Sequence, residues 1–319
     1  MTRQAIDPNL QLAVLGLGNM GGAVLQGGFA RGILTPKSVM VCDPDQSRLS
    51  AFVDLGCQTG TPADIASAPR VLLAVKPQVF PELAETFSSR PRDRTVISVM
   101  AGIQGHRIAS AMGAGTSVIR AMPNMPASIG YGVTAIAASS EVSDSEQAFA
   151  RELFAAVGTV VEVEEELMFA VTATSGSGPA WVYRLVEAWI KAAEEQGLPP
   201  ETAKSLVHGT LLGAAQLLHH SDRSASELRA AVTSKGGTTA AGQAAMDDHG
   251  FDRAIAETIA AATRRGRGTR RRALIASGEA SIRNRGDGNA RLRTRESTPR
   301  IRGSSRESRS LHATRRVQR

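Results

Sequence analysis

Cysteine, aromatic side chains and long apolar runs are what this chain has least of. Only Cys42 and Cys57 occur among 319 residues, too few for a disulfide framework. Neither lies in a nucleophile motif, and the chain reads as cytoplasmic, held by its core in a reducing compartment. Cys42 ends an expected strand and reads as a packed thiol. Aromatic residues make up 4% of the sequence against 42% apolar residues overall, so small aliphatic side chains must fill closely packed helices. No run approaches the ~18 apolar residues of a membrane-spanning helix, and MTRQAIDPNL at the start has no apolar core of a secretory signal. The six histidines show no spacing with Asp, Glu or Cys that suits a metal. With no G-x-S-x-G elbow either, hydrolase readings fall away.

Lysine is missing from one region altogether. From Arg264 to Arg319 there are 18 arginines, no lysine and four acids, a local charge of +14. The net charge of +7 therefore leaves −7 on the preceding 263 residues. An acidic body and a basic tail share one chain. Residues 267–319, rich in Arg, Gly and Ser and without sustained periodicity, read as disordered. Arginine without lysine is what out-of-frame translation of GC-rich DNA yields. The alternative is an arm that binds nucleic acid or another polyanion without sequence preference.

What is present is an α/β pattern. Apolar runs at Leu12–Leu15, Val39–Cys42, Val71–Val75, Val96–Met100, Val118–Met122, Val133–Ala137 and Thr159–Val163 alternate with helical stretches, the signature of a Rossmann-type doubly wound sheet. Residues 1–163 are expected to form this domain. From 164 to 266 the strands stop and an all-α domain follows. Helices are expected at Leu167–Thr174 and Pro179–Gln196, separated by Ser175-Gly176-Ser177-Gly178, then at Glu201–His219, after the Ser224/Glu227 capping box to about Val232, at Thr238–Asp248 and at Asp252–Arg265. In the second of these, Trp181, Leu185, Trp189 and Ile190 lie opposite a charged face. So much apolar and small-residue surface in a short helical half predicts pairing with a second copy.

Two glycine-rich segments carry the chemistry. Gly16-Leu17-Gly18-Asn19-Met20-Gly21 follows a strand and opens a helix, the context in which G-x-G-x-x-G binds a dinucleotide pyrophosphate on the helix N-terminus. Asp43, ending the second strand, reads either as an acceptor for ribose hydroxyls or as a turn former before Pro44. Ser47 and Arg48 lie close enough to bind a 2′-phosphate instead, so NADPH and NADH both remain open. Ala74-Val75-Lys76-Pro77 ends the next strand at the ligand edge, with Pro77 forcing Lys76 into an extended conformation. Its side chain reads either as a cofactor contact or as solvated charge. Asn124 is a candidate donor in the cleft, and Arg120 either a site residue or a structural ion pair. Ser234-Lys235-Gly236-Gly237-Thr238-Thr239, at a helix start, offers backbone N–H groups and hydroxyls to a small anion.

Together GLGNMGG, AVKPQ, SVMAGI, RAMPNMP, SGSGPA and SKGGTT, in this order from about Leu12 to Arg267, resemble pyrroline-5-carboxylate reductase. The resemblance implies NAD(P)H-dependent reduction of 1-pyrroline-5-carboxylate to L-proline. It also implies an interlocked homodimer, with a ring of dimers as a further assembly. By the same resemblance, Ser234–Thr239 binds the substrate carboxylate, with the Gly236 and Gly237 N–H groups as donors and the Thr238 hydroxyl at the ring nitrogen. Lys235 stands where many relatives carry proline. The basic tail departs from the family, whose members end soon after the last helix.

Overall fold

All seven expected strands form, and an eighth joins them. The computed structural model describes residues 9–90 and 92–267; the expected disordered tail, apart from Arg267, lies outside the described residues. The strands are β1 (Leu12–Leu15), β2 (Val39–Cys42), β3 (Gln58–Thr59), β4 (Arg70–Leu73), β5 (Arg94–Ser98), β6 (Thr116–Met122), β7 (Gly132–Ala138) and β8 (Gly158–Glu162). They lie in one sheet in the order β3-β2-β1-β4-β5-β6-β7-β8. Every pair is parallel except β6 with β7. β3 escaped the sequence because Gln58 and Thr59 are polar and lie at the sheet edge, where no apolar run is required.

The central strand shows why the sheet is doubly wound. Along β1, Leu12 and Val14 point into one core with Val24, Leu25 and Phe154. Ala13 and Leu15 point into another with Phe87, Ile108 and Met112. A strand buried on both faces must be apolar throughout, which is how LAVL reads. Helices α1 (Asn19–Ala30), α2 (Gln46–Val53), α3 (Pro62–Ile65), α4 (Phe80–Ser88), α5 (Gly105–Met112) and α6 (Asp144–Ala155) connect the strands. Cys57 is buried, and burial pushes its thiol up to about 11. Burial, followed by the nearby charges of Asp43 and Asp64, also raises Cys42. Both thiols are therefore protonated at neutral pH and poorly nucleophilic.

The second half contains α7 (Met168–Val171), α8 (Gly178–Glu195), α9 (Pro200–His220), α10 (Ala225–Ala231), α11 (Thr238–Asp248) and α12 (residues 251–267). Among the described residues no helix is long and apolar enough to cross a membrane. The Ser224/Glu227 capping box forms as expected. Part of the expected break at Ser175–Gly178 is taken up by a wide π turn over Thr172–Gly176, closed by Ser177 N donating to Thr172 O at 2.8 Å. The expected separation from α8 narrows to Ser177, which ends the π turn and precedes α8 at Gly178.

This half has little core of its own. No residue of α8 is buried, and in α9 only Ala203 and Val207 are. Trp181, Leu185, Trp189 and Leu212 remain 36–64% exposed. Uncovered apolar surface of this kind marks an association face, and the helical half suits an oligomer.

Where the two halves meet, Arg120 is an ion pair rather than a free site residue. Its Nη1 lies 3.3 Å from Glu165 Oε1, which also accepts from Gly105 N at 2.6 Å. Burial pushes the Arg120 guanidinium down, and the charge and hydrogen bond of Glu165 oppose it. Removing Glu165 leaves a buried cation and an unpaired N–H. Glu165→Ala is expected to lower unfolding free energy by about 2 kcal/mol, measured by urea denaturation; wild-type stability would contradict this account of the junction.

Candidate cofactor and substrate site

The turn after β1 depends on two glycines and leaves a third free. Gly16 has φ +100° and donates its N–H to Cys42 O at 2.9 Å. A Cβ there would lie 2.5 Å from Ala74 O, while one at Gly21 would lie 2.1 Å from Gly16 O. Gly18, which precedes α1, differs: a Cβ would meet only Arg48 Nη1, at 3.4 Å. Open space thus lies over Gly18, bounded by a guanidinium. Asn19, Met20 and Gly21 form the first turn of α1, which contains no acid and whose N–H groups lack intrahelical acceptors. The donor set fits a phosphate-bearing ligand.

Around this turn β2 and β4 supply supports. Asp43 Oδ2 accepts from Leu17 N at 2.6 Å, and its Oδ1 accepts from Asp45 N at 2.8 Å. Asp45 caps α2, accepting from Ser47 N at 3.0 Å and Ser47 Oγ at 2.7 Å. Arg48 Nε lies 3.1 Å from Asp45 Oδ2. The Ser47 hydroxyl is the first cause that holds the Asp45 carboxyl below its usual range. Ala74 N donates to Leu15 O at 2.8 Å, so the end of β4 backs the turn. Lys76 is extended before Pro77, with φ −66° and ψ 141°, and its side chain is exposed. Val75 lies between them, and its Cγ1 would be 3.0 Å from a Cβ at Gly16.

The hexapeptide stands on α11. Gly236 has φ +74°, and Gly237 N donates to Ser234 O at 3.1 Å. A Cβ at Gly237 would lie 2.4 Å from Ser234 Oγ. Thr238 and Thr239 begin the helix and are exposed, as are Ser234, Lys235 and Gly236. The N–H groups of Thr238, Thr239 and Ala240 have no acceptor within the helix. Among the described residues no hydrogen bond or ion pair links Ser234–Thr239 to the glycine turn of the same chain.

Residues 165–269 match the family described as pyrroline-5-carboxylate reductase dimerisation. Residues 11–102 match one described as NADP oxidoreductase, coenzyme F420-dependent. The pyrroline-5-carboxylate reductase of Synechocystis sp. is 39% identical over 261 residues, which cover 81% of this chain and 97% of the relative. The chain belongs to the pyrroline-5-carboxylate reductase family. A relative of that name from Thermus thermophilus is 38% identical over 81% of this chain and 97% of its own length. Among solved structures, a pyrroline-5-carboxylate reductase from Coxiella burnetii is 30% identical with a TM-score of 0.76, covering 82% of this chain and 98% of its own.

Three expectations about site residues change. Asp43 is buried and each of its oxygens already accepts a backbone N–H, so it braces the turn; of the two readings, turn former is the nearer. The Gly237 N–H, expected to face the carboxylate, is engaged within the turn by Ser234 O at 3.1 Å. Asn124 is buried, with its amide engaged by Ser175 O and Val133 N at 3.2 and 2.9 Å. Asp45 was missed, although an Asp two residues before Ser47 and three before Arg48 has the spacing of a helix cap.

The division among the glycines predicts different outcomes. Gly16→Ala should lose about 3 kcal/mol of stability through strain and a backbone clash. Gly18→Ala should keep the wild-type urea midpoint. Equal losses in the two variants would refute the division.

Proposed function

We propose that the chain reduces 1-pyrroline-5-carboxylate to L-proline with NADPH, the last step of proline synthesis, NADH being the alternative donor. The observation that carries this is the pairing of two separate anion-holding helix starts, at Gly18–Gly21 and Gly236–Thr239, in a member of this family. Residues 1–163 act as the cofactor domain and 164–266 as the domain for substrate and dimerisation.

The cofactor, when bound, supplies a hydride to the imine carbon. The first-turn N–H groups of α1, at Asn19, Met20 and Gly21, hold the pyrophosphate in the space over Gly18. Arg48, with Ser47 beside it once its hydroxyl turns from Asp45, would hold the 2′-phosphate, and the Ala74–Pro77 segment would hold the nicotinamide ribose. In the other half, the N–H groups of Gly236, Thr238 and Thr239 hold the substrate carboxylate, and the Thr238 hydroxyl meets the ring nitrogen. The protonated imine is already electrophilic, so the residues have mainly to align it and exclude water. The nitrogen's proton comes from solvent. Two copies pair through their helical halves, each hexapeptide completing a site that faces the partner's cofactor, and dimers can assemble further into a ring.

Oxidation of NADPH should proceed with 1-pyrroline-5-carboxylate and fall steeply with 1-pyrroline, which lacks the carboxylate; equal rates would sink the carboxylate clamp. Thr238→Ala should lower kcat/KM for the imine about ten-fold or more with NADPH affinity unchanged; unchanged turnover removes Thr238 from the mechanism. Arg48→Gln should weaken NADPH about ten-fold and leave NADH nearly unaffected, read by fluorescence titration of each cofactor.

A further inference from the structure

A π turn frees helix carbonyls that must find other partners. In the turn over Thr172–Gly176 two side chains from outside it supply them. Trp181 Nε1 donates to Ala173 O at 3.0 Å, and Asn124 Nδ2 donates to Ser175 O at 3.2 Å. The other side of the same amide, Asn124 Oδ1, accepts from Val133 N at 2.9 Å. The orientation of that amide is fixed by chemistry. Val133 N–H can only donate and the Ser175 carbonyl can only accept, so a flipped amide would lose both bonds. Asn124 follows the end of β6, and Val133 lies in β7. A Cβ at Gly176 would lie 2.5 Å from Met122 Cε, so the turn also rests on the last residue of β6.

We propose that Asn124 is a positioning residue. With Trp181 it seats the π turn on the ends of β6 and β7, and so fixes the direction in which α8 leaves the sheet. That direction matters because, on the function proposed above, the hydride donor lies at this sheet edge and the substrate loop lies in the helical half. The inference rests on that reading for its effect on turnover. The hydrogen bonds themselves do not depend on it.

Asn124→Asp isolates the strut. The carboxylate keeps an acceptor for Val133 N but places a second acceptor against the Ser175 carbonyl; protonation restores a donor. Burial favours the neutral carboxyl and raises its pKa, so the donor is present at low pH and lost as pH rises through that value. The ratio of variant to wild-type kcat should fall about ten-fold at pH 8 and recover as pH is lowered, with the Kd for NADPH within about two-fold of wild type. Trp181→Phe should lower kcat in the same direction without the new pH dependence. A flat Asn124→Asp ratio across pH overturns the proposal, as does a matching loss of NADPH affinity, which would make Asn124 a cofactor ligand. Should Asn124→Asp fail to fold, reduced kcat in Trp181→Phe sustains the strut and wild-type kcat overturns it. Hydrogen–deuterium exchange of residues 172–180, compared with wild type at each pH, reads the strut without turnover. A wild type inactive on 1-pyrroline-5-carboxylate would therefore end the functional reading alone, and this exchange would still decide the proposal: pH-dependent deprotection supports it, wild-type protection overturns it.

Discussion

The close approach of Gly16 to the carbonyl of Ala74 is the constraint on which the cofactor edge depends. It brings the end of β1 against the end of β4, leaving no room for a side chain between them. With that contact made, the chain can turn only if Gly21 lets α1 pack on Gly16, and Asp43 then fixes the turn by accepting Leu17 N. The consequence is spatial. The first-turn N–H groups of α1 adjoin the opening over Gly18, whose nearest neighbour is Arg48, while Gly16 and Gly21 are closed in by Ala74, Val75 and the turn's own backbone.

The helical half obeys a different constraint. Its helices are regular, yet α8 buries no residue and the apolar stripe on Trp181, Leu185 and Trp189 faces solvent in a single chain. The sheet half draws its stability from two continuous cores. The helical half must draw much of its own from association, since amphipathic helices gain most of their stability from packing the apolar face. On the function proposed above, an active site with one wall in each half would be coupled to assembly, with the junction at Arg120, Glu165 and Gly105 and the strut at Asn124 carrying the alignment between them.

What the sequence made legible was whatever local periodicity and glycine chemistry determine. The strands of the sheet interior were readable because burial on both faces demands unbroken apolar runs. The limits of α11, Thr238–Asp248, were readable because glycines precede it and Gly250, with φ +69°, follows it. Hydrogen bonds across sequence distance were not. Asp43 binds Leu17, 26 residues away, and Asn124 binds Ser175, 51 residues away; no local pattern distinguishes these side chains from ligand-binding ones. β3 failed for the opposite reason, having no apolar signal. The π turn was hidden because Ser-Gly-Ser-Gly has poor helix propensity, and tertiary partners overrode it.

On the function proposed above, the two helix starts differ in one respect that suits the ligands assigned to them. A guanidinium stands beside the first, at Gly18, and a dinucleotide with phosphate charge gains from a fixed cation there. The second has backbone N–H groups and hydroxyls, with Lys235 exposed on a flexible stem. A ring that carries both a carboxylate and a protonated imine nitrogen is a zwitterion. A fixed cation at its carboxylate would sit within a few ångströms of the nitrogen and favour the neutral, less electrophilic imine. Partial charges from N–H groups hold the carboxylate at less cost to the iminium, because their dipoles fall off faster with distance than a full charge. A glycine-led helix start would therefore suit the proposed substrate better than an arginine clamp, and Lys235 would be tolerable there because its exposed charge can swing away.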